Sequence, residues 1–327
     1  MTKVAINGFG RIGRLLFRQL AEKPDVAVVA INDLGSRENL EYLLKYDTIY
    51  GKFSKGLEGV KVLQEKDPAR LPWKELEVDI AVEATGAFES YEKARAHLEA
   101  GAKRVVITAP AKDDDTKDGK TVLAGVNEND LASCVISSNG SCTTNAASSV
   151  MEILRENPGV KKAILNTVHG YTATQNLVDG PVKGSDVRRG RAAAQNIVPS
   201  STGAAVAVAR AVKELEGKFD GVAMRVPVAA GSVADITFVA KKKTSAEEIN
   251  RILEEAAQSQ RWQGILKVTR EPVVSSDIIG EPYGAIVDLN FTRVVDGDLV
   301  KVLSWYDNEW GYAATLVKHL EAAARTL

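Results

Sequence analysis

Through the first half of this 327-residue chain, short apolar runs alternate with amphipathic stretches. Val4-Ala5-Ile6 reads as a strand, and Arg11 to Leu20 follows as a helix with Ile12, Leu15, Leu16 and Leu20 on one face. Val26 to Ile31 predicts a second strand, and the run around Asn39 to Leu44 a second helix. Val78 to Ala84, Val105 to Thr108 and Val135 to Ser138 are further apolar strands. Between the first two of these, Glu89 to Ala100 has helical spacing and stops at Gly101, a residue suited to a helix C-terminus. The strand-helix-strand rhythm predicts a parallel sheet with helices on both faces.

The pattern changes beyond residue 142. Asn145 to Arg155 reads as a helix, and Ala163 to Val168 as an apolar strand ending at His169. Tyr171 to Ser201 is rich in glycine, proline and arginine and predicts a long loop, followed by a helix from Gly203 to Leu215. Strands are expected at Val222–Val226, Ser232–Val239, Ala285–Leu289 and Leu299–Trp305, and a last helix at Trp310–Ala324, long enough to return to the first domain. The expected organisation is therefore an α/β domain over residues 1–141, completed by a C-terminal helix within 308–327. An α+β domain with a mostly antiparallel sheet would span 142–307. There is no internal repeat, and Asp113-Asp114-Asp115 reads as a solvated loop.

Composition narrows what such a molecule does. Lysine and arginine number 42 against 43 aspartates and glutamates, so there is no global positive field for nucleic acid or an anionic membrane. Any anion must be met by a local site. No apolar run is long enough to span a bilayer, and the opening segment lacks the apolar core of an export signal. The two cysteines, Cys134 and Cys142, make no disulfide framework, so a reducing cytoplasm is expected. Two cysteines and three scattered histidines also give no metal-ligand spacing.

Directly after the first strand lies Gly8-Phe9-Gly10-Arg11-Ile12-Gly13. Gly8 suits a tight turn, Gly10 lets the backbone approach a pyrophosphate, and Gly13 lets the helix lie close to the strand. An ordinary glycine turn would share the spacing. The preceding strand, the following helix and Asp33 closing the second strand together favour a Rossmann-type dinucleotide site. Asp33 would accept from ribose hydroxyls and repel a 2′-phosphate, which favours NAD over NADP.

Cys142 stands in Ser141-Cys142-Thr143-Thr144-Asn145 before the predicted helix. A thiol there feels the positive end of the helix dipole, which lowers its pKa. The plain alternative, a buried inert cysteine, suits Cys134 beside Val135-Ile136 better. Of the histidines, His97 and His319 fall within helices and read as packing or solvation, while His169 at a strand end before a loop is a candidate base.

From these motifs outward the chain resembles the phosphorylating glyceraldehyde-3-phosphate dehydrogenases. The likeness covers essentially its whole length. It is carried by Ile6 to Arg14, Leu43-Leu44-Lys45-Tyr46-Asp47, Ile107-Thr108-Ala109-Pro110, Ser141 to Asn145, His169-Gly170-Tyr171-Thr172, Arg188 to Ala194 and Ser304 to Tyr312. The resemblance implies that Cys142 adds to an aldehyde carbon, that His169 takes the thiol proton, and that a thioester forms and is cleaved by inorganic phosphate. It implies that the substrate phosphate of glyceraldehyde-3-phosphate sits on Thr172, Thr174 and Arg225. The attacking phosphate would meet Ser141, Thr143, Thr202 and the backbone of Gly203, with Arg189 nearby. Asn308 would hold the nicotinamide carboxamide, with Ile12 and Tyr312 against the ring. Arg11, Thr85 and Thr108 complete the expected cofactor set. A homotetramer is implied, in which the loop around Tyr171 to Ala192 reaches a neighbouring subunit's cofactor pocket.

Three departures from the family pattern stand out. Ala146 occupies a position where a second cysteine is common, which predicts greater resistance to peroxide. Gly140 replaces a commoner alanine, and Pro227-Val228-Ala229-Ala230-Gly231 is unusual beside a phosphate pocket. Two alternatives remain at this point. One is an erythrose-4-phosphate dehydrogenase, whose aromatic pattern near the C-terminus differs. The other is a non-catalytic dinucleotide- or nucleic-acid-binding protein, which has no use for a nucleophile and its base.

Overall fold

The computed structural model describes residues 1–182 and 184–327; Lys183, within the expected loop, lies outside the described residues. Contacts divide the chain into two compact units, one of Met1–Ser141 with Ala313–Leu327 and one of Cys142–Tyr312.

In the first unit seven strands form one sheet. They are β1 (Thr2–Asn7), β2 (Val26–Asn32), β3 (Lys61–Leu63), β4 (Ile80–Glu83), β5 (Arg104–Ile107), β6 (Gly119–Thr121) and β7 (Ile136–Ser138), in the order β3-β2-β1-β4-β5-β7-β6. Every neighbouring pair is parallel. Strands β4 and β5 are buried throughout and β1 from Val4 onward, as the uninterrupted apolar runs require of a sheet covered on both faces. Helix α1 (Arg11–Leu20) buries Gly13, Leu15, Leu16, Phe17 and Leu20. Helix α2 (Arg37–Lys45) begins earlier than expected because Ser36 caps it, its hydroxyl accepting from the Asn39 N–H at 3.4 Å.

The expected helix over 89–100 is instead two short ones, α3 (Tyr91–Ala94) and α4 (Ala96–Glu99). Ser90 caps the first, accepting from the Lys93 N–H at 3.2 Å. The register of β1 gathers polar groups at one edge of the sheet. Asn7, the last residue of β1, pairs with Asn32 of β2 on one side and Glu83 of β4 on the other. Three polar side chains thus stand abreast at the carboxyl edge, where ligands of such sheets bind.

The second unit opens with α5 (Cys142–Glu156), which starts three residues before the expected helix, so Cys142 is its first residue. Its sheet has β8 (Val160–Gly170), β9 (Val198–Ser201), β10 (Phe219–Val226), β11 (Ser232–Ala240), β12 (Leu266–Thr269), β13 (Ala285–Val295) and β14 (Leu299–Tyr306), in the order β9-β10-β8-β11-β14-β13-β12. Four of the six pairings are antiparallel, and β8–β10 and β12–β13 are parallel. Buried and half-buried residues alternate along β11, the period of a sheet with one covered face. Helix α6 (Ala204–Ala211) is shorter than expected. The chain breaks at Val212 and resumes as a 3-10 turn at Lys213–Leu215, a bend that buries both Val212 and Leu215. Helix α7 (Ala246–Gln258) packs on β12 and β13. Helix α8 (Trp310–Ala324) has its first three residues in the second unit and the rest in the first.

Candidate active site and dinucleotide site

Strand periodicity places the candidate base. On β8 the alternate residues Leu165, Thr167 and His169 are buried, so the imidazole shares the covered face with two packing residues. Thr167 and His169 pair in register with Ala223 and Arg225 of β10, which sets a guanidinium beside the ring. Cys142, at the start of α5, meets the same ring, with Sγ 3.3 Å from His169 Nε2. The Arg225 Nη1 lies 2.6 Å from His169 Nδ1 and donates to the Gly170 carbonyl at 3.2 Å. The Gly170 carbonyl also lies 2.6 Å from Nδ1.

One ring nitrogen cannot both donate to that carbonyl and accept from the guanidinium. With Nδ1–H donating to Gly170, Nε2 carries the lone pair that faces the thiol, which is the geometry of a base. The electrostatics of this pair are dominated by exclusion of water. Burial first, then Arg225, pushes His169 down to about 3. Cys142 is half-buried, yet the same exclusion pushes its thiol up, opposed by Arg225 and by the hydrogen bonds of Thr143. The dipole of α5 alone predicts a lowered thiol pKa. Here burial raises it instead.

Tyr306 lies in the segment Ser304 to Tyr312 that carries the family resemblance, yet it is not among the expected site residues. Its hydroxyl lies 2.8 Å from Thr143 Oγ1 and 2.7 Å from Thr167 Oγ1, tying the first turn of α5 to β8. Its ring meets His169 edge-on at 5.9 Å. Burial holds its phenol above the usual range. Thr143 is itself buried, and its hydroxyl serves both Tyr306 and Cys142. Ser232 is likewise outside the expected set. It accepts from the Gly170 N–H at 3.1 Å and donates to Asn308 Oδ1 at 2.9 Å. Neither role can be read from the local sequence, because each residue acts through partners far along the chain.

A second cluster adjoins Arg225. Thr172 Oγ1 and Thr174 Oγ1 are 3.0 Å apart, and Arg189 donates to Thr174. Arg189 is close enough to disfavour a positive charge on both His169 and Arg225. The Nε atoms of Arg189 and Arg225 are buried without a hydrogen-bond partner. Paired cations with spare donors beside two hydroxyls suit an anion. Thr202 caps α6, its hydroxyl accepting from the Ala204 N–H at 3.2 Å, and Gly203 is the helix N-cap.

In the first unit the glycine turn has the form a dinucleotide needs. Gly8 has φ +97°, and a Cβ there would stand 2.5 Å from the Ala84 carbonyl carbon. A Cβ on Gly13 would fall 2.1 Å from the Gly8 oxygen, whereas one on Gly10 would meet nothing within 4 Å. So the first and third glycines permit close packing, and the second faces open space at the N-terminus of α1. Gly10 gives that helix no side-chain cap. Asp33 ties the turn to β2, its carboxylate accepting from the Phe9 N–H at 2.8 Å and the Gly35 N–H at 2.9 Å. The residues present therefore fit a pyrophosphate and a ribose. The Arg11 guanidinium pairs with Asp47. Thr108 donates to the Glu83 carbonyl from its N–H at 3.0 Å and from its hydroxyl at 3.1 Å.

Among the described residues no group of three or more His, Cys, Asp or Glu could hold a metal, and no helix is long and apolar enough to cross a membrane.

A wholly parallel sheet carrying this turn, joined to a largely antiparallel unit, is the build of a two-part NAD-dependent oxidoreductase. Residues 2–91 match the model for the NAD binding domain of glyceraldehyde 3-phosphate dehydrogenase, and residues 141–308 match its C-terminal domain. Proteins named glyceraldehyde-3-phosphate dehydrogenase from Thermotoga maritima and Clostridium pasteurianum are 48% and 46% identical to this chain, covering 98% and 99% of both sequences. One from Mycobacterium avium is 45% identical over 99% of each. The chain belongs to the glyceraldehyde-3-phosphate dehydrogenase family, and its cofactor is NAD.

Proposed function

We propose that the chain oxidises glyceraldehyde-3-phosphate with NAD and inorganic phosphate, through a thioester on Cys142. The contact between Cys142 Sγ and His169 Nε2 carries this reading. As sulfur bonds to the aldehyde carbon, its proton passes to Nε2. The protonated ring then donates to the new oxyanion, and takes that proton back as the carbonyl reforms. NAD, when bound, supplies the acceptor for the hydride that leaves the same carbon. Phosphate oxygen then bonds to the thioester carbon, the C–S bond breaks, and the product leaves as an acyl phosphate with Cys142 restored.

In this reading Thr172, Thr174 and Arg225 bind the substrate phosphate. Ser141, Thr143, Thr202, Gly203 and Arg189 serve the attacking one. The spare donors of both arginines support anion binding beside His169. Gly8, Gly10, Arg11, Ile12, Gly13, Asp33, Thr85 and Thr108 would bind the dinucleotide, with Asn308 and Tyr312 at the nicotinamide. Asp33 would favour NAD over NADP.

A homotetramer in the cytoplasm is part of the same reading. The loop residues Leu177, Val178 and Val187 are large, apolar and exposed, as a subunit interface would explain, and both cysteines are free thiols. Erythrose-4-phosphate oxidation and a non-catalytic binding role are not favoured. The test is NADH formation from glyceraldehyde-3-phosphate with and without phosphate, repeated with erythrose-4-phosphate and with NADP. Phosphate-dependent turnover with the first substrate is expected; its absence would overturn the proposal.

A further inference from the structure

Glu83 lies in an otherwise apolar strand, is only 2% exposed, and takes no part in the thioester chemistry. Its Oε1 accepts from the Thr85 N–H at 2.8 Å and from the Thr85 hydroxyl. Its Oε2 lies 2.6 Å from Asn7 Nδ2 and 3.0 Å from His97 Nε2. Four donors thus converge on one carboxylate in a site closed to water.

The direction of each bond is dictated from both ends. Asn32 accepts from the Glu65 N–H and donates to the Glu65 carbonyl, each at 2.8 Å, and main-chain groups cannot exchange roles. Asn32 must therefore present Nδ2 to Asn7 Oδ1, at 2.7 Å, and Asn7 must turn its own Nδ2 to Glu83. At the other end the Trp73 indole N–H, which can only donate, lies 3.0 Å from His97 Nδ1. That nitrogen carries the lone pair, so His97 donates from Nε2 to Glu83. Only an acceptor on both oxygens satisfies the whole network.

The groups so held are those of the expected cofactor site. Asn7 immediately precedes the glycine turn. Thr85 follows the residue that Gly8 packs against, and Thr108 is anchored on the Glu83 carbonyl. We propose that Glu83 is a positioning residue for NAD, whose carboxylate locks Asn7, Thr85 and His97 so that the Gly8–Gly13 turn stays pressed on the segment after β4 and open to the pyrophosphate. This inference rests on the NAD reading of that turn.

The experiment measures NAD affinity of the full-length chain by calorimetry, alongside Cys142 alkylation rate and turnover at saturating NAD. In Glu83→Gln, either orientation of the amide sets an N–H against another donor. The NAD Kd should rise about tenfold, with alkylation and saturated turnover unchanged. Trp73→Phe frees His97 to exchange its tautomer, so the double variant should recover part of the affinity lost by Glu83→Gln. Should Glu83→Gln not fold, His97 supplies the same test. Glutamine there can donate to Glu83 and accept from Trp73, and should keep the wild-type Kd. Leucine cannot, and should weaken binding about fivefold. A folded Glu83→Gln with unchanged Kd, or equal Kd values in the two His97 variants, would overturn the proposal. Failure of the wild-type chain to bind NAD would instead overturn the reading beneath it.

Discussion

Two buried polar clusters in this molecule differ in one respect. Around Glu83 every side-chain donor meets an acceptor, and the direction of each bond is set by Glu65 at one end and Trp73 at the other. Around His169 the bonding is incomplete. One ring nitrogen faces two neighbours with conflicting demands, and two guanidinium Nε atoms have no partner. Buried donors left unpaired cost about 1–3 kcal/mol each, so a fold retains them where a ligand supplies the acceptor. A satisfied network holds a shape; an unsatisfied one selects what binds. The first belongs to positioning and the second to chemistry.

The largest expected effect falls on the unsatisfied cluster. Cys142→Ser should lower NAD-linked oxidation by at least about a thousandfold with NAD binding retained; full activity would remove the thioester mechanism. Arg225→Gln should raise the KM for glyceraldehyde-3-phosphate by about a hundredfold. The same change withdraws a charge that depresses His169, so the pKa of the base rises. The acid limb of kcat/KM against pH should therefore move to higher pH, and an unmoved limb would break the link between Arg225 and the ring.

A smaller effect concerns another buried histidine, outside both clusters. His319 is buried in the first unit, 2.7 Å from Ser137 Oγ, and burial pushes it down to about 4 from an ordinary 6.5. Between those values the unfolded chain binds the proton and the folded one does not, so stability falls as pH drops through that window. His319→Gln should abolish about 3 kcal/mol of that acid loss, read from denaturant unfolding at neutral pH and near pH 4. An identical acid slope would show that the histidine is not the cause. The smallest effect belongs to Ala146, buried one helical turn after Cys142. Ala146→Cys should speed inactivation by peroxide on the order of twofold, measured as loss of NADH-forming activity with time. No change would leave the missing thiol without consequence.

Much of the fold is legible in the residues. Continuous apolar runs mark five of the seven parallel strands of the first unit, because burial on both faces leaves no alternation, while β3 and β6 are three residues each and too polar to leave such a run. Where helix boundaries differ from expectation, the causes are local. Ser36 and Ser90 start their helices by capping, while α6 ends at Val212, where a bend buries Val212 and Leu215. The glycine turn, Cys142 and His169 can be named from motif and strand-end position. Glu83 is one of two carboxylates in the run Val78 to Ala84, and nothing near it in the chain says what it holds.

By itself, then, the sequence determined the two element patterns, the dinucleotide turn, the candidate nucleophile and its candidate base. These depend on residues close together in the chain, where periodicity and backbone freedom act directly. Tertiary structure decided which groups meet. It brought Arg225 beside His169 through strand register, Tyr306 between Thr143 and Thr167, and His97 onto Glu83. It also raised the pKa of the Cys142 thiol, because exclusion of water comes from tertiary packing.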